Sequence, residues 1–366
     1  MSTVLQGQSS PVAAVAGVAG MAHARNVGVW GAAWKRFRSD RVGVVALVIV
    51  GAFLLLVLAA GAGLVAKGWQ VEAGVPNAPP TFLGPRASTD AVVGAVSTKQ
   101  NIDLSDIDPL APRYKEWDER AAKFQTTDTV KRETLTFGGD RLGRDVLAKA
   151  VKGAEVSIMV GVLSAVTAVL IGTVLGAFGG FFGGKVGDLL EWVYNVFTAI
   201  PGILLIFTFA AVLNRADAII PKGIWTIVII LGFTGWTGIY RLVRAEFIKH
   251  SVREYVRSAE AIGASTLSRM FKHILPNVSH VVLVQLSVYV VGFIKAEVIL
   301  SYLGLGVSVD QVSWGTMLAE AQGELILGYW WQLAAATLFM AVFVTAFSLF
   351  TDALRDALDP KLRGLE

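Results

Sequence analysis

The sequence predicts an all-α membrane protein with six transmembrane helices. Three observations carry that expectation. Hydrophobic residues make up 54% of the 366 positions and charged residues only 16%, against about 25% charged in a soluble domain. The apolar residues come in blocks, and a bilayer is crossed by about 20 residues of helix. Most of these blocks lack the polar face that a soluble core helix of such length keeps.

Six blocks qualify. Val42–Ala66 carries no charge and forms the first span. Val156–Gly184 is the second, with its glycine-rich end placed outside the helix. Trp192–Asn214 is the third, and Pro201 inside it predicts a kink. Gly223–Tyr240 is uncharged but short. Val278 to about Leu300 is the fifth, apolar apart from His280, Lys295 and Glu297. Tyr329–Thr351 is the sixth.

Basic residues in short loops orient the spans. With the N-terminus inside, the inner segments hold sixteen Lys and Arg, among them Lys35, Arg36, Arg38, Arg41, Lys185, Arg244, Arg257, Arg269 and Arg355. The two short outer loops hold Arg215 and Lys222 alone. Both termini are therefore expected in the cytoplasm. The expected divisions are a cytoplasmic tail and interfacial segment (1–41), a first span (42–66) and an extracytoplasmic segment (67–155). A five-helix core (156–351) follows, then a cytoplasmic tail (352–366). Residues 1 to about 28 read as a disordered tail, because no charge precedes Arg25 and the apolar run follows it, the reverse of a signal peptide. "WKRFRSDR" mixes aromatics and cations and reads as an interfacial anchor. Asp145–Lys152 reads as an amphipathic helix on the outer surface.

Composition excludes several functions. The pI near 9.2 is accounted for by topology and lipid headgroups, so no nucleic-acid partner is expected. There is no cysteine, which removes disulfides, thiolate metal sites and cysteine nucleophiles. Four scattered histidines give no metal-ligand spacing, so no metal is expected. "GGFFGGKV", Gly179–Val186, approaches a phosphate-cradling loop, but Val186 stands where a Ser or Thr would hold magnesium. It also follows a membrane helix rather than a strand, and reads as a glycine-rich turn. No catalytic residue, nucleotide site or bound cofactor is expected.

One polar stretch between spans carries the function. "EYVRSAEAIGASTLSRMFKHILPN", residues 254–277, places Tyr255, Ala259, Ile262, Thr266, Met270 and Ile274 at helical spacing. Gly263 falls where a helix would end and Ser265 where the next would be capped. The segment reads as helix, sharp turn, helix, with Pro276 at the entry to the fifth span. A turn in its middle favours a knob that inserts into another protein over a helix lying on the membrane. Small residues at its tip, Ala259, Gly263 and Ala264, would let a partner groove approach.

Glu297 and Lys295 are ionisable groups within a span, which marks them for attention. At 1.5 Å per residue, position 295 lies about 28 Å beyond Pro276, close to the outer interface. Two residues apart, the pair should point in roughly opposite directions. Glu297 and Ser301 are the candidate pathway or gate residues.

The polar stretch resembles the cytoplasmic EAA loop of ABC importer permeases, with Gly263 followed by Leu275-Pro276 at the expected distance. Arg257, Ser258 and Ala259 stand at the name-giving Glu-Ala-Ala positions, and His273 at a usual Ile. "WKRFRSDRVGVVALVI", "GGDRLGRDVLAKAVKGAEVSIMVG", "EVILSYLGLGV…VSWGTMLAEAQ" and "DALRDALDPKLRG" are similar to the second permease subunit of dipeptide, oligopeptide and nickel importers. Residues 67–137 look like an insert beyond the family core. The resemblance implies a type I ABC importer permease fold in a bacterial inner membrane. It implies a coupling helix at Ala259, Glu260, Ile262, Gly263, Ala264 and Ser265, with Leu275 and Pro276 behind it, docked on an ATPase. The implied partners are a second homologous permease, two ATPase subunits that bind ATP and Mg, and an external substrate-binding protein. The implied cargo is a peptide; nickel, glutathione or another small solute is the alternative. A stand-alone channel or secondary transporter would require mid-span ionisable residues or paired broken helices, of which Pro201 is the one clear break.

Overall fold

A computed structural model describes residues 29–85, 110, 113–121, 131–213, 223–308 and 310–358. The N-terminal tail, the outer loop with Arg215 and Lys222, and the C-terminal residues Lys361 and Arg363 lie outside the described residues, as does much of the 67–137 segment. Among the described residues the regular structure is helical, with four isolated β-bridges.

The helices run in chain order α1 (Val29–Ser39), α2 (Arg41–Gly61), α3 (Tyr114–Ala121), α4 (Val146–Phe182), α5 (Gly184–Ala199), α6 (Gly202–Leu213), α7 (Ile224–Thr234) and α8 (Trp236–Ser251). Then come α9 (Glu254–Ala261), the single turn α10 (Thr266–Ser268), a π-helical turn Arg269–Ile274, α11 (Leu275–Tyr302), α12 (Trp314–Ile326) and α13 (Trp331–Leu358). Among the described residues four continuous helices are long and apolar enough to cross a membrane: α2, α4, Thr266–Tyr302 and α13. Two bent pairs pass the same test, α5 with α6 at 89° and α7 with α8 at 40°. Counting each pair as one span gives six.

Exposure supports the membrane reading. Asp40 starts α2 by accepting the amide of Val42 at 3.0 Å. Of the 21 residues that follow, only Gly43, Ala46, Val50 and Ala60 are buried. Leu55 and Leu58 are each 69% exposed, which suits hydrocarbon rather than water.

Helix α4 is the axis of the bundle. Of its 37 residues 21 are buried, and it packs on α8, α11, α7, α2, α13 and α12. Its contact with α8 is built on Gly172, Gly176 and Gly180, spaced one turn apart. A Cβ there would lie 2.6 Å from the carbonyl oxygen of Trp236, 2.7 Å from that of Tyr240 and 2.5 Å from that of Arg244, respectively. Only glycine lets two backbones approach so closely, the rule for small residues at membrane helix contacts.

Several boundaries differ from the sequence expectation, each for a physical reason. The first span ends at Gly61 and turns through Gly63, which holds φ +71°. The expected outer helix Asp145–Lys152 is the first two turns of α4 itself, capped by Asp145. Proline at 201 gives a break rather than a kink, because Ile200 is extended. The glycine-rich stretch 179–186 ends α4 and turns into α5, with Gly183 and Gly184 at positive φ.

The segment 67–137 is not a single appended insert. Its two ends pair with each other and with the start of α4 through bridges Glu72 to Arg144, Gly74 to Arg132 and Pro80 to Leu135. Trp69, Ala78 and Leu135 are buried, and Trp69 packs with Val146, Val312 and Trp331. This small cap over the start of α4 packs into the hydrophobic core.

Candidate coupling site

The polar stretch forms a corner at one end of the bundle. Helix α8 continues past the expected membrane edge to Ser251, and α9 turns off it. His250 Nδ1 meets the Tyr255 hydroxyl at 2.8 Å across that corner. Val256 faces inward, onto a cluster with Ala177, Phe247, Met270 and Ile274, and Ala259 is buried on the same helix. Burying Val256 and Met270 contributes on the order of 1.5–3 kcal/mol each, so α9 has a fixed seat.

The turn after α9 follows from Gly263. Its φ of +86° is open to glycine without strain. The Gly263 amide bonds the Glu260 carbonyl at 2.9 Å, and that of Ala264 bonds Ala259 at 3.0 Å, closing the helix. Ser265 then caps α10 by accepting the Ser268 amide at 3.3 Å. Arg269 ties the two arms: one guanidinium nitrogen lies 2.6 Å from Glu260 Oε1, and its plane sits 5.4 Å from the Phe181 ring on α4. Ile262 stands at the tip, 85% exposed, and a Cβ on Gly263 would meet nothing within 4 Å.

The continuous apolar face expected from spacing is divided in two. Ala259 is buried against its own bundle, and so is Val256, which the spacing rule passed over. Ile262 and Tyr255 point outward. The turn at Gly263 resets the helical phase, so residues on either side of it no longer share a face. Ala259 therefore seats the corner, and Ile262 and Gly263 form its outer edge with the exposed Ser258, Glu260 and Ala261. Leu275 and Pro276 begin α11 directly behind the π turn. Pro276 has no amide to donate, and its ring crowds the carbonyl of Lys272. The widened turn relieves that crowding, with Leu275 bonded back to Met270.

Glu297 and Ser301 lie inside the helix packing of this chain. Glu297 is fully buried and Ser301 nearly so. Glu297 accepts the hydroxyls of Ser157 at 2.7 Å and Ser301 at 2.6 Å. The Ser157 hydroxyl in turn accepts the Trp314 amide at 3.2 Å. These bonds clasp α11, α4 and the start of α12 together. Lys295 is exposed on the opposite side of α11, as the two-residue spacing requires. Glu297 is satisfied by its helix neighbours.

A second polar cluster, not singled out by the sequence, locks the end of the bundle where α4 begins. Asp140 and Lys149 are fully buried. Lys149 Nζ lies 2.8 Å from Asp140, 2.5 Å from Glu320 and 3.4 Å from Gln332. Arg144 Nε bonds Asp140 at 2.6 Å, and the Arg141 amide donates to Glu324 at 2.9 Å. Burial pushes the Asp140 carboxyl up, but Lys149 and Arg144 outweigh it and hold it below the usual carboxylate range. Burial pushes the Glu324 carboxyl up, and there it prevails. Glu324 also sits in the last turn of α12, where the helix dipole opposes a negative charge.

The similarities to known proteins agree with this architecture. Residues 168–364 match the family described as binding-protein-dependent transport system inner membrane component, and residues 28–80 match the N-terminal transmembrane domain of oligopeptide transport permease C. The second match places the first strip of the cap, 67–80, within the family rather than beyond it. The oligopeptide transport system permease protein OppC of Bacillus subtilis (strain 168) is 30% identical over 99% of this chain and 100% of its own length. The dipeptide transport system permease protein DppC of the same organism is 30% identical over 90% of this chain and 85% of its own. The glutathione transport system permease protein GsiD of Shigella flexneri serotype 5b (strain 8401) is 37% identical over 62% of this chain and 73% of its own. The chain belongs to the family of inner membrane components of binding-protein-dependent transport systems.

Proposed function

We propose that this chain is one permease subunit of an ATP-driven importer of di- or oligopeptides. The observation that carries the proposal is the corner at residues 254–277. It presents an exposed apolar tip, Ile262 beside Gly263, on a base of buried Val256, Ala259, Met270 and Ile274. A chain that moves solute without nucleotide chemistry must receive work through a contact. Here a push on the tip passes into α8 and α11 through packed side chains, and into α4 through Arg269 and Phe181. The near full-length similarity to an oligopeptide permease supports peptide as the cargo. ATP and Mg would be held by two partner ATPase subunits. A second permease would complete the pathway, and an external binding protein would deliver the substrate. Glu260, Ala264 and Ser265 shape the turn; Leu275 and Pro276 fix the helix that leaves it.

The lysine and arginine bias supports a cytoplasmic corner and cytoplasmic termini. Reporters fused at positions 10, 260 and 362 should read cytoplasmic and one at 100 external; a cytoplasmic signal at 100 would overturn the orientation. For function, the complete importer is assayed in proteoliposomes with peptide, nickel and glutathione as competing cargo. Gly263→Asp strains a positive-φ turn and puts a charge into the contact. It should leave membrane insertion intact, abolish ATP-dependent peptide uptake, and weaken ATPase co-purification or uncouple hydrolysis. Gly7→Asp should do little. Normal coupled uptake in Gly263→Asp would remove the proposal's support.

A further inference from the structure

The helix that leaves the corner is wound in two ways. Thr266–Tyr302 runs as one continuous helix, but Arg269–Ile274 is a π turn in which the Leu275 amide bonds the Met270 carbonyl, five residues back. Met270, Ile274 and Val278 are all fully buried. At about 100° per residue an α-helix would swing Met270 about 80° away from Val278. The wide turn brings it back onto the seat with Val256 and Phe247. Carried back from Val278 in α register, the buried face would instead hold Ile274, Phe271 and Leu267, the last two within about 20° of Val278. Phe271 is half-buried against the same cluster, 6.5 Å from the Phe178 ring, and Leu267 is 57% exposed.

The segment therefore carries two apolar stripes one residue apart, and opposing groups set the choice between them. Pro276, whose ring crowds the Lys272 carbonyl in an α-helix, favours the wide turn. So does Arg269, which in this register reaches Glu260 at 2.6 Å and stacks on Phe181. An α register would rotate Arg269 by one residue step, about 100°, away from both. Burial of Leu267 and Phe271 favours the α register. Glu260 is 60% exposed, and an ion pair that open is a weak tie. Gly263 gives slack: with φ +86° and nothing within 4 Å of its Cβ position, the turn has room for the displaced residue. Single π turns inside α-helices recur at functional sites.

We infer that Arg269–Ile274 is a one-residue register switch within the coupling corner. At rest it is wound π, with Met270 on the seat and Arg269 tied to Glu260. A partner that engages the exposed Glu260 frees Arg269, and the turn passes to α register. Met270 then leaves the seat, Phe271 and Leu267 enter it, and the start of the helix moves by about 1.5 Å and 100° against α11. The inference rests on the reading of this corner as the ATPase contact, and it names the element there that has two discrete packings.

The test uses the assembled importer in nanodiscs, without nucleotide and with ATP and vanadate. The chain has no cysteine, so single Leu267→Cys, Met270→Cys, Phe271→Cys and Val278→Cys variants, each first shown to retain the ATPase, are labelled with a water-soluble maleimide. A minor register holds about 10% of the chains or less, so Met270→Cys should react about tenfold faster or more with ATP and vanadate. Leu267→Cys and Phe271→Cys should slow, and Val278→Cys should stay unreactive. Arg269→Gln should expose position 270 without nucleotide, and Arg269→Lys, which keeps a cation for Glu260, should restore its protection. Hydrogen exchange of the unaltered importer reads the same switch: exchange across 267–275 should change with ATP and vanadate, and across 279–300 it should not. Three results overturn the switch and leave the coupling reading standing, in an importer that couples ATP to uptake: position 270 unreactive in both states, all four positions reacting together, or exchange across 267–275 unchanged. No co-purification of the ATPase with the unaltered chain overturns the coupling reading, and the switch with it.

Discussion

Replacing Lys149 by Met keeps most of the length of the side chain and removes its charge at the polar lock beside the start of α4. In the native chain the ammonium is 1% exposed, faces a fully buried Asp140 at 2.8 Å and reaches Glu320 at 2.5 Å. Breaking a buried ion pair from one side typically costs about 3–5 kcal/mol, because the remaining charge stays buried without its partner. Arg144 still holds Asp140 at 2.6 Å, and Glu320 is 27% exposed and open to water, so the lower end applies. About 3 kcal/mol is more than a hundredfold in the unfolding equilibrium. The assay is an SDS unfolding titration of the detergent-purified chain. A double change, Lys149→Met with Glu320→Gln, should cost less than the sum of the single changes by about 1 kcal/mol or more. A Lys149→Met chain within about 0.5 kcal/mol of the parent, or strict additivity with Glu320→Gln, would refute the reasoning that this charge holds the polar lock.

Glu324→Gln should stabilise the chain near neutral pH. A carboxyl held above its usual range folds at no ionisation penalty in acid, and the penalty grows as pH rises from about 4.5 through the raised folded value. The gain should vanish on acidification, and a gain independent of pH would contradict it. Asp140 runs the other way: its lowered value adds stability above pH 4 that is lost below it, so the lock should fail in acid by its protonation, as unfolding titrations across pH would record. Gly176→Val drives a side chain to 2.7 Å from the Tyr240 carbonyl and should cost about 1–3 kcal/mol or more. Gly51→Ala, with nothing within 4 Å, should be neutral, so equal melting temperatures for the two variants would contradict the close α4–α8 packing.

The spans are legible because each rests on a long, mainly apolar block, a signal that needs no neighbour to interpret; the breaks that bend α5 against α6 by 89° and α7 against α8 by 40° are less so. The N-terminal two turns of α4 are not, since Lys149, Lys152 and Glu155 look like a solvated face. Lys149 is instead buried by partners 171 and 183 positions away, Glu320 and Gln332, and no local pattern announces a pairing so distant. Glu297 is legible as unusual and illegible as to role: its hydroxyl donor Ser157 is 140 residues off. The cap fails for the same reason, its bridges joining Glu72 to Arg144 and Gly74 to Arg132. The turn at Gly263 is legible from the glycine and the Ser265 cap. The inward face of the corner is not, because helical periodicity does not continue across the turn at Gly263.

The central claim is that the 254–277 corner is the surface through which an ATPase drives this chain. The sequence has no cysteine, so one introduced residue is a unique handle. Ile262→Cys, in an importer first shown to transport, is labelled with benzophenone maleimide and photolysed, beside Val256→Cys as a buried control. The account predicts a covalent adduct between position 262 and the ATPase subunit, changing in yield when ATP is bound, and no adduct at position 256. A transport-competent importer that gives no ATPase adduct at position 262 would contradict it.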